Sequence, residues 1–380
     1  MTTFGFLNTT HFEHGAVAQL GPALSRLGIR RPLLCTDAGL VAAGIVDAVE
    51  REVPTDVEVT RFAETPENPT EQAVRAAAGL YRQADCDGVV AVGGGSSMDL
   101  AKGVALMVTH AGELGDYTAG RGRMEPIGPV APLIAVPTTA GTGSEVSSGA
   151  LVIMASGEKL ILASRNLVPP IAICDPDLTL GLPAYLTAAT GMDAVTHCIE
   201  AVLTPVVNPA AEAIGLDGLR RALGHAHLHR AVTDGQDREA RWHMMMASNE
   251  GALAFSKGLG AVHAMSHAAG ARSELRLHHG TLNAVLLPTV LRFNADACKG
   301  KYDRIREAIR VPSSTDLADH VERLNAGLGL PAGLAALGVT DAMIPELARH
   351  AEQDVCSRTN PRPCDGAIYV ELFRQALEAA

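Results

Sequence analysis

Residues 88–102, GVVAVGGGSSMDLAK, decide the fold class. Short, apolar and bounded by turn formers, residues 88–92 read as a strand buried on both faces, as in a parallel sheet. The small residues 93–97 then lead into a helix. Such a junction offers free N–H groups and the positive end of the helix dipole to an anion. Glycine suits it because a side chain would hold a pyrophosphate off the backbone. The GxGxxG spacing is not met, and the alternative reading is a tight turn with a serine N-cap.

Working outward, residues 32–36, 132–136 and 171–174 read as strands of the same kind, while 15–27 and 70–84 carry helical periodicity. Strand–helix alternation predicts an α/β layer with a parallel, Rossmann-like sheet. Residues 151–154 and 159–162, separated by Ala-Ser-Gly-Glu, predict an inserted β-hairpin. After Pro183 the texture changes to long helical stretches, 186–203, 209–231, 237–257, 261–271 and 281–296. We therefore expect an α/β domain over 1–183 and an all-helical domain over 184–380.

Composition narrows the function. A chain of 380 residues with 47% hydrophobic and 19% charged residues has ample core for two domains. Aromatics at 3% argue against base-stacking surfaces, and a net charge of -11 argues against general nucleic-acid or anionic-membrane binding. Seven scattered cysteines without a CxxC pair read as reduced thiols. The amino terminus lacks the basic head and apolar run of a signal peptide, and no apolar run is long enough to span a membrane. The expectation is a cytoplasmic protein.

Two further features carry chemistry. Residues 137–145, PTTAGTGSE, follow a strand and offer four hydroxyls and two glycines to phosphate, ribose or carboxamide. In open α/β sheets ligands sit at the carboxyl ends of the strands, where this loop and residues 93–97 both belong. Asp37, ending another strand, is placed either to accept from a ribose or to cap the next helix. Nine of the fourteen histidines lie between 197 and 279. Asp193 and His197 share a helix face at i, i+4, as do His263 and His267, and His278 and His279 follow. One carboxylate with two or three imidazoles suits Fe²⁺ or Zn²⁺. By contrast GHAHLHR, residues 224–230, has no carboxylate partner in sequence and reads as a solvated face.

Taken in order, GGGSSMDLAK, PTTAGTGSEV, TAATGMDAVTH and the later His-x3-His…His-Gly resemble the iron-containing (group III) alcohol dehydrogenase family over essentially the whole chain. Asn68-Pro69-Thr70 and Thr359-Asn360-Pro361-Arg362-Pro363 resemble it too. The resemblance implies a Rossmann-like domain, a helical domain and an active site in the cleft between them. It implies Asp193, His197, His263 and His279 as metal ligands, with His267 in proton relay beside the nicotinamide. Cofactor contacts would come from Asp37, Asn68, Gly94, Gly95, Ser96, Asp99, Thr138, Thr139, Thr142, Ser147, Lys159 and Leu178. Asp37 favours NAD over NADP, since a carboxylate repels a 2′-phosphate. The partners implied are a small alcohol, aldehyde or ketone and a second copy in a homodimer.

Two departures stand out. Residues 268–279, AAGARSELRLHH, are longer than the family segment, and His278 replaces its usual proline. Either His278 or His279 is then the fourth ligand, and the context after Gly280 favours His279. Arg272 and Arg276 in the same segment suggest a carboxylated substrate, unless they face solvent beside Glu274. Maleylacetate reductase and a dehydroquinate-synthase-like lyase are the alternatives within reach of this fold. The intact Asp-His-His-His set weighs against the first, and the lack of a basic cluster for a phosphorylated substrate weighs against the second. A protein that binds NAD or metal without turnover would usually show gaps in the ligand set.

Overall fold

A computed structural model describes residues 8–119, 124–272 and 274–377. Part of the amino-terminal stretch read above and Ser273 of the 268–279 segment lie outside them. The chain forms two compact units, one from residues 8–139 and 144–181, the other from 140–143 and 182–377.

In the first unit β1 (Thr9–Phe12), β2 (Pro32–Cys35), β3 (Thr60–Phe62), β4 (Gly88–Gly93), β5 (Leu133–Pro137) and β8 (Ile171–Cys174) form a parallel sheet. Their order is β1-β8-β5-β4-β2-β3. Strands β6 (Gly149–Ile153) and β7 (Lys159–Ala163) pair antiparallel as the inserted hairpin. The helices are α1 (Leu20–Leu27), α2 (Ala38–Ala42), α3 (Ile45–Glu50), α4 (Glu71–Gln83) and α5 (Gly95–Met107).

Period-two alternation sorts the strands onto two buried faces. Leu33, Cys35, Val89, Ala91, Leu133 and Ala135 pack with Val74, Ala77, Leu100 and Val104 on one side. Leu34, Val90, Val92, Ile134, Val136 and Ile173 pack with Leu20, Leu24, Val46 and Val49 on the other. Burying each such aliphatic side chain contributes about 1.5–3 kcal/mol, which is why the central strands read as unbroken apolar runs. Strands β1 and β3 escaped the sequence reading. They are three- and four-residue edge strands, only partly buried and carrying Thr, His and Arg, so neither apolar runs nor alternation mark them.

The register of the sheet brings two loops together. Gly93 pairs with Pro137 at the carboxyl ends of β4 and β5, and the Thr138 amide donates to the Gly93 carbonyl at 3.0 Å. Gly93 itself has φ +151°, and a Cβ there would meet Ser97 Oγ at 2.5 Å, so only glycine fits this turn.

The second unit contains α6 (Ala184–Leu203), α7 (Pro209–Leu219), α8 (His227–Thr233), α9 (Arg238–Ala254), α10 (Ala261–Gly270) and α11 (His279–Asn294). Helices α12 (Lys299–Ile309), α13 (Leu317–Gly327), α14 (Ile344–Gln353) and α15 (Gly366–Leu377) complete it. The single helix expected over 209–231 is a correction. It divides into α7, a π turn over Arg220–Gly224 and α8, with Ala226 in the left-handed region at φ +56°. Close approach of Gly224 to the Ala308 carbonyl sets the break, since a Cβ there would lie 2.5 Å from that oxygen. Pro288 stands inside α11 without ending it. The Ala284 carbonyl one turn back, which a proline cannot serve, accepts instead from Asn325 Nδ2 at 2.7 Å.

Candidate metal centre and nucleotide loops

In α6, Asp193, His197 and Glu200 fall at i, i+4 and i+7, so one buried face of the helix carries all three. His263 stands on α10, and His279 opens α11. The Nε2 atoms of His197, His263 and His279 lie 3.7, 3.8 and 3.6 Å from Asp193 Oδ1. One donor atom from each residue falls within 4.8 Å of all the others. Gly280 allows α11 to come this close, because a Cβ there would lie 2.2 Å from the Ala189 carbonyl oxygen of α6. His278 takes a different part. It is the N-cap of α11, its Nδ1 accepting from the Thr281 amide at 3.4 Å, and it does not join the donor group.

Neighbouring groups set the imidazoles for ligation. Glu200 Oε2 accepts from His263 Nδ1 at 2.6 Å, which leaves the lone pair of Nε2 facing Asp193. The same carboxylate caps the start of α10 by accepting from the Val262 amide at 2.8 Å, while Asn360 Oδ1 accepts from Ala261 N at 3.1 Å. His279 Nδ1 meets Ser266 Oγ at 2.9 Å. Burial pushes the His197 pKa down to about 4 against the pull of Asp193, so that ring is neutral. Asn283 Nδ2 donates to Asp193 Oδ1 at 2.7 Å and lies 3.2 Å from both His263 Nε2 and His279 Nε2, while its Oδ1 is buried without a partner. Three imidazole nitrogens and a carboxylate converging on one point, beside an amide with an orphaned oxygen, fit a divalent transition ion.

His267 sits one turn beyond His263, its ring stacked on His279 with centroids 5.4 Å apart. Its Nδ1 bonds Asp354 Oδ2 at 2.9 Å. Burial alone would raise the Asp354 carboxyl, but the facing His267 and the Cys356 amide outweigh it and hold the pKa below its ordinary value.

In the sheet unit, Gly94 caps α5 and a Cβ on it would touch Thr139 at 3.3 Å, while Ser96 Oγ donates to the Glu67 carbonyl. Thr138 is buried and Leu178 packs into the apolar core. Asn68 Oδ1 accepts from Lys159 Nζ at 2.9 Å. Asp37 caps α2, accepting from Leu40 N at 3.0 Å with Oδ1, and its other oxygen has no partner among the described residues. Asp99 is committed internally, accepting from Ser144 Oγ at 2.7 Å and Leu151 N at 2.9 Å. Buried Lys102 donates to Ser144 Oγ and the Gly149 carbonyl at 2.8 Å, and to the Ser147 carbonyl at 3.0 Å. Burial lowers its pKa to about 8. Thr142 stands in the 140–143 segment that belongs to the helical unit.

Four residues that shape these sites were given no role from sequence. Glu200 had a signal in its i+3 spacing from His197, and Asn283 in its i+4 spacing from His279. Lys102 had none beyond an unexplained lysine in an apolar helix face. Asp354 lies 87 residues from His267 and only folding joins them. Arg272 lies beside Glu274, as one of its two readings had it, with Glu274 and Glu346 pairing with it at 2.9 and 2.8 Å. One sequence reading is corrected: the 224–230 segment is not a plain solvated face. His227 is buried, and Glu239 and His243 come to it from α9. Among the described residues no helix is long and apolar enough to cross a membrane.

The iron-containing alcohol dehydrogenase family model matches residues 8–176, and the model of that family's C-terminal domain matches 187–377. The chain is 51% identical to 4-hydroxybutyrate dehydrogenase of Cupriavidus necator, covering 98% of this chain and 99% of that one. It superposes on a 1,3-propanediol oxidoreductase with TM-score 0.92 and 34% identity, covering 99% and 100% of the two chains. A sulfoacetaldehyde reductase from Bifidobacterium kashiwanohense in complex with NAD+ gives TM-score 0.88 at 27% identity over 100% of both chains. The chain belongs to the iron-containing alcohol dehydrogenase family and is an oxidoreductase that acts on CH–OH groups with NAD and a bound metal.

Proposed function

We propose that the protein interconverts a short, carboxylate-bearing primary alcohol and its aldehyde, with 4-hydroxybutyrate the leading substrate. In this reading residues 1–183 hold NAD and residues 184–380 hold Fe²⁺ or Zn²⁺ through Asp193, His197, His263 and His279. The convergence of those four donors around Asp193 Oδ1 is the observation that carries the chemistry. The 51% identity to a 4-hydroxybutyrate dehydrogenase supports the substrate class.

The metal, when bound, supplies Lewis acidity toward the substrate oxygen, and NAD supplies the nicotinamide that accepts hydride. The chain does the rest. Glu200 keeps the His263 lone pair turned inward, and Asn283 keeps the Asp193 carboxylate in place. His267 takes the hydroxyl proton on Nε2, since Asp354 engages Nδ1. On the cofactor side, the amides around Gly94, Gly95 and Ser96 meet the pyrophosphate. Thr138, Thr139, Thr142, Ser147, Asn68, Lys159 and Leu178 contact the nucleotide, and Asp37 offers its unused oxygen to the adenosine ribose. Asp99 acts through Ser144 rather than by direct contact.

Arg276, in the same 268–279 segment, is the residue we assign to the substrate carboxylate. An Arg276→Ala enzyme should lose at least tenfold in kcat/KM for 4-hydroxybutyrate while keeping its rate on 1-butanol. An unchanged preference between the two would overturn this assignment. We also place the protein in the cytoplasm, in keeping with cysteines that form no disulfide among the described residues, and as a homodimer. Light scattering tests the second point.

A further inference from the structure

We propose that the helical unit carries a second divalent transition-metal site, formed by His227, Glu239 and His243 and separate from the Asp193 set. One donor atom from each of the three lies within 4.8 Å of the other two. The donors come from two helices, since Glu239 and His243 are i, i+4 on α9 and His227 is on α8. An ion here would tie the two helices together.

The orientation of His227 is the strongest argument. Its Nδ1 donates to the Arg221 carbonyl at 2.7 Å, which fixes the tautomer and leaves the Nε2 lone pair with no partner among the described residues. Ligating histidines are held in this manner, one nitrogen on a carbonyl and the other on the metal. The His243 ring stacks on His227 with centroids 4.0 Å apart and planes within 12°, and Trp242 closes its edge at 5.0 Å. A similar stack, 4.6 Å and 21°, joins His197 and His263 in the catalytic donor set. His243 Nδ1 accepts a long 3.3 Å bond from Arg221, which an incoming ion can displace because Arg221 keeps Asp217 and Glu250.

Charge does not forbid the ion. Arg221 and Arg230 stand beside the site, but Asp217 and Glu250 pair with Arg221, Asp237 and Glu239 pair with Arg230, and Asp217 is shared with Arg220. Arg230 retains Asp237 when a Glu239 oxygen turns to the metal. Two imidazoles and one carboxylate select Zn²⁺, Ni²⁺ or Cu²⁺ over Mg²⁺ or Ca²⁺. Glu239 is exposed, so the ion enters from solvent and water completes a tetrahedral set.

The test is titration of the enzyme, its catalytic metal already in place, with Zn²⁺ alone, followed by calorimetry and by metal content per chain after desalting. Wild type should take up one equivalent beyond the catalytic one. Glu239→Gln, on the surface and harmless to the fold, and His243→Gln should each weaken that uptake by about tenfold or more. Both should keep alcohol oxidation, and His225→Gln, a neighbouring ring outside the set, should bind as wild type does. A His263→Gln enzyme should lose the catalytic equivalent and keep the second, which separates the two readings. The proposal is overturned by no uptake beyond one ion, by full uptake in Glu239→Gln and His243→Gln, or by equal loss in His225→Gln.

Discussion

Replacing Glu200 with glutamine tests how far the metal centre depends on a residue that does not bind the metal. The native carboxylate accepts from His263 Nδ1 at 2.6 Å, Val262 N at 2.8 Å and His263 N at 3.4 Å. Glutamine has nearly the same shape, but only its oxygen accepts. If that oxygen stays on the α10 amides, the NH₂ group faces the His263 Nδ1–H, donor against donor. The imidazole relieves the clash by moving its proton to Nε2, where it blocks ligation. Loss of such an outer partner typically costs 10–100-fold in metal affinity, or about 1.4–2.7 kcal/mol. Competition with a chelator of known affinity for Zn²⁺ or Fe²⁺ reads this directly. Melting of the metal-free variant measures the separate cost of weakening the α10 cap. Metal affinity within twofold of wild type, with only the metal-free melting temperature lowered, would refute the argument and leave Glu200 a structural cap.

Other expectations follow from the same geometry. His267→Gln should cut kcat by about 10²–10⁴-fold with KM little changed, and Asp354→Asn by less; stopped-flow hydride transfer decides between them. Because the folded Asp354 pKa is depressed, its stabilising effect is present above its ordinary value of 3.8 and is lost as pH falls through the folded value. The stability gap between wild type and Asp354→Asn should therefore close on acidification, as denaturant titrations at several pH values would show. Lys102→Met removes the buried cation that offsets the Asp99 charge and takes a donor from the Ser147 and Gly149 carbonyls, so it should cost about 1–3 kcal/mol in denaturant unfolding and raise the KM for NAD. Gly280→Ala must shift α11 away from the Ala189 carbonyl at about 1–3 kcal/mol, carrying His279 with it. Metal content after dialysis should fall, and full retention would show that the helix can absorb the methyl group.

The α/β class and the pairing of Asp193 with His197 were legible in the sequence because each rests on local pattern, whereas the full donor set came from the family resemblance. A strand buried on both faces must be apolar throughout, and a helix returns to the same face every three or four residues. That is why residues 88–92 and 171–174 read as strands and why Asp193 with His197 read as one site. The edge strands β1 and β3 were not legible, since a half-buried edge imposes neither rule. What only the tertiary structure decided is which distant groups meet. Gly280 closing on Ala189, Asn325 serving the carbonyl freed by Pro288, and Asp354 reaching His267 across 87 residues leave no periodic trace. The pairing of Arg272 with Glu346 and the meeting of His227 with Glu239 and His243 are of that kind. Spacing along one helix constrains direction, but a contact between helices depends on how closely their backbones approach, and that is set by packing.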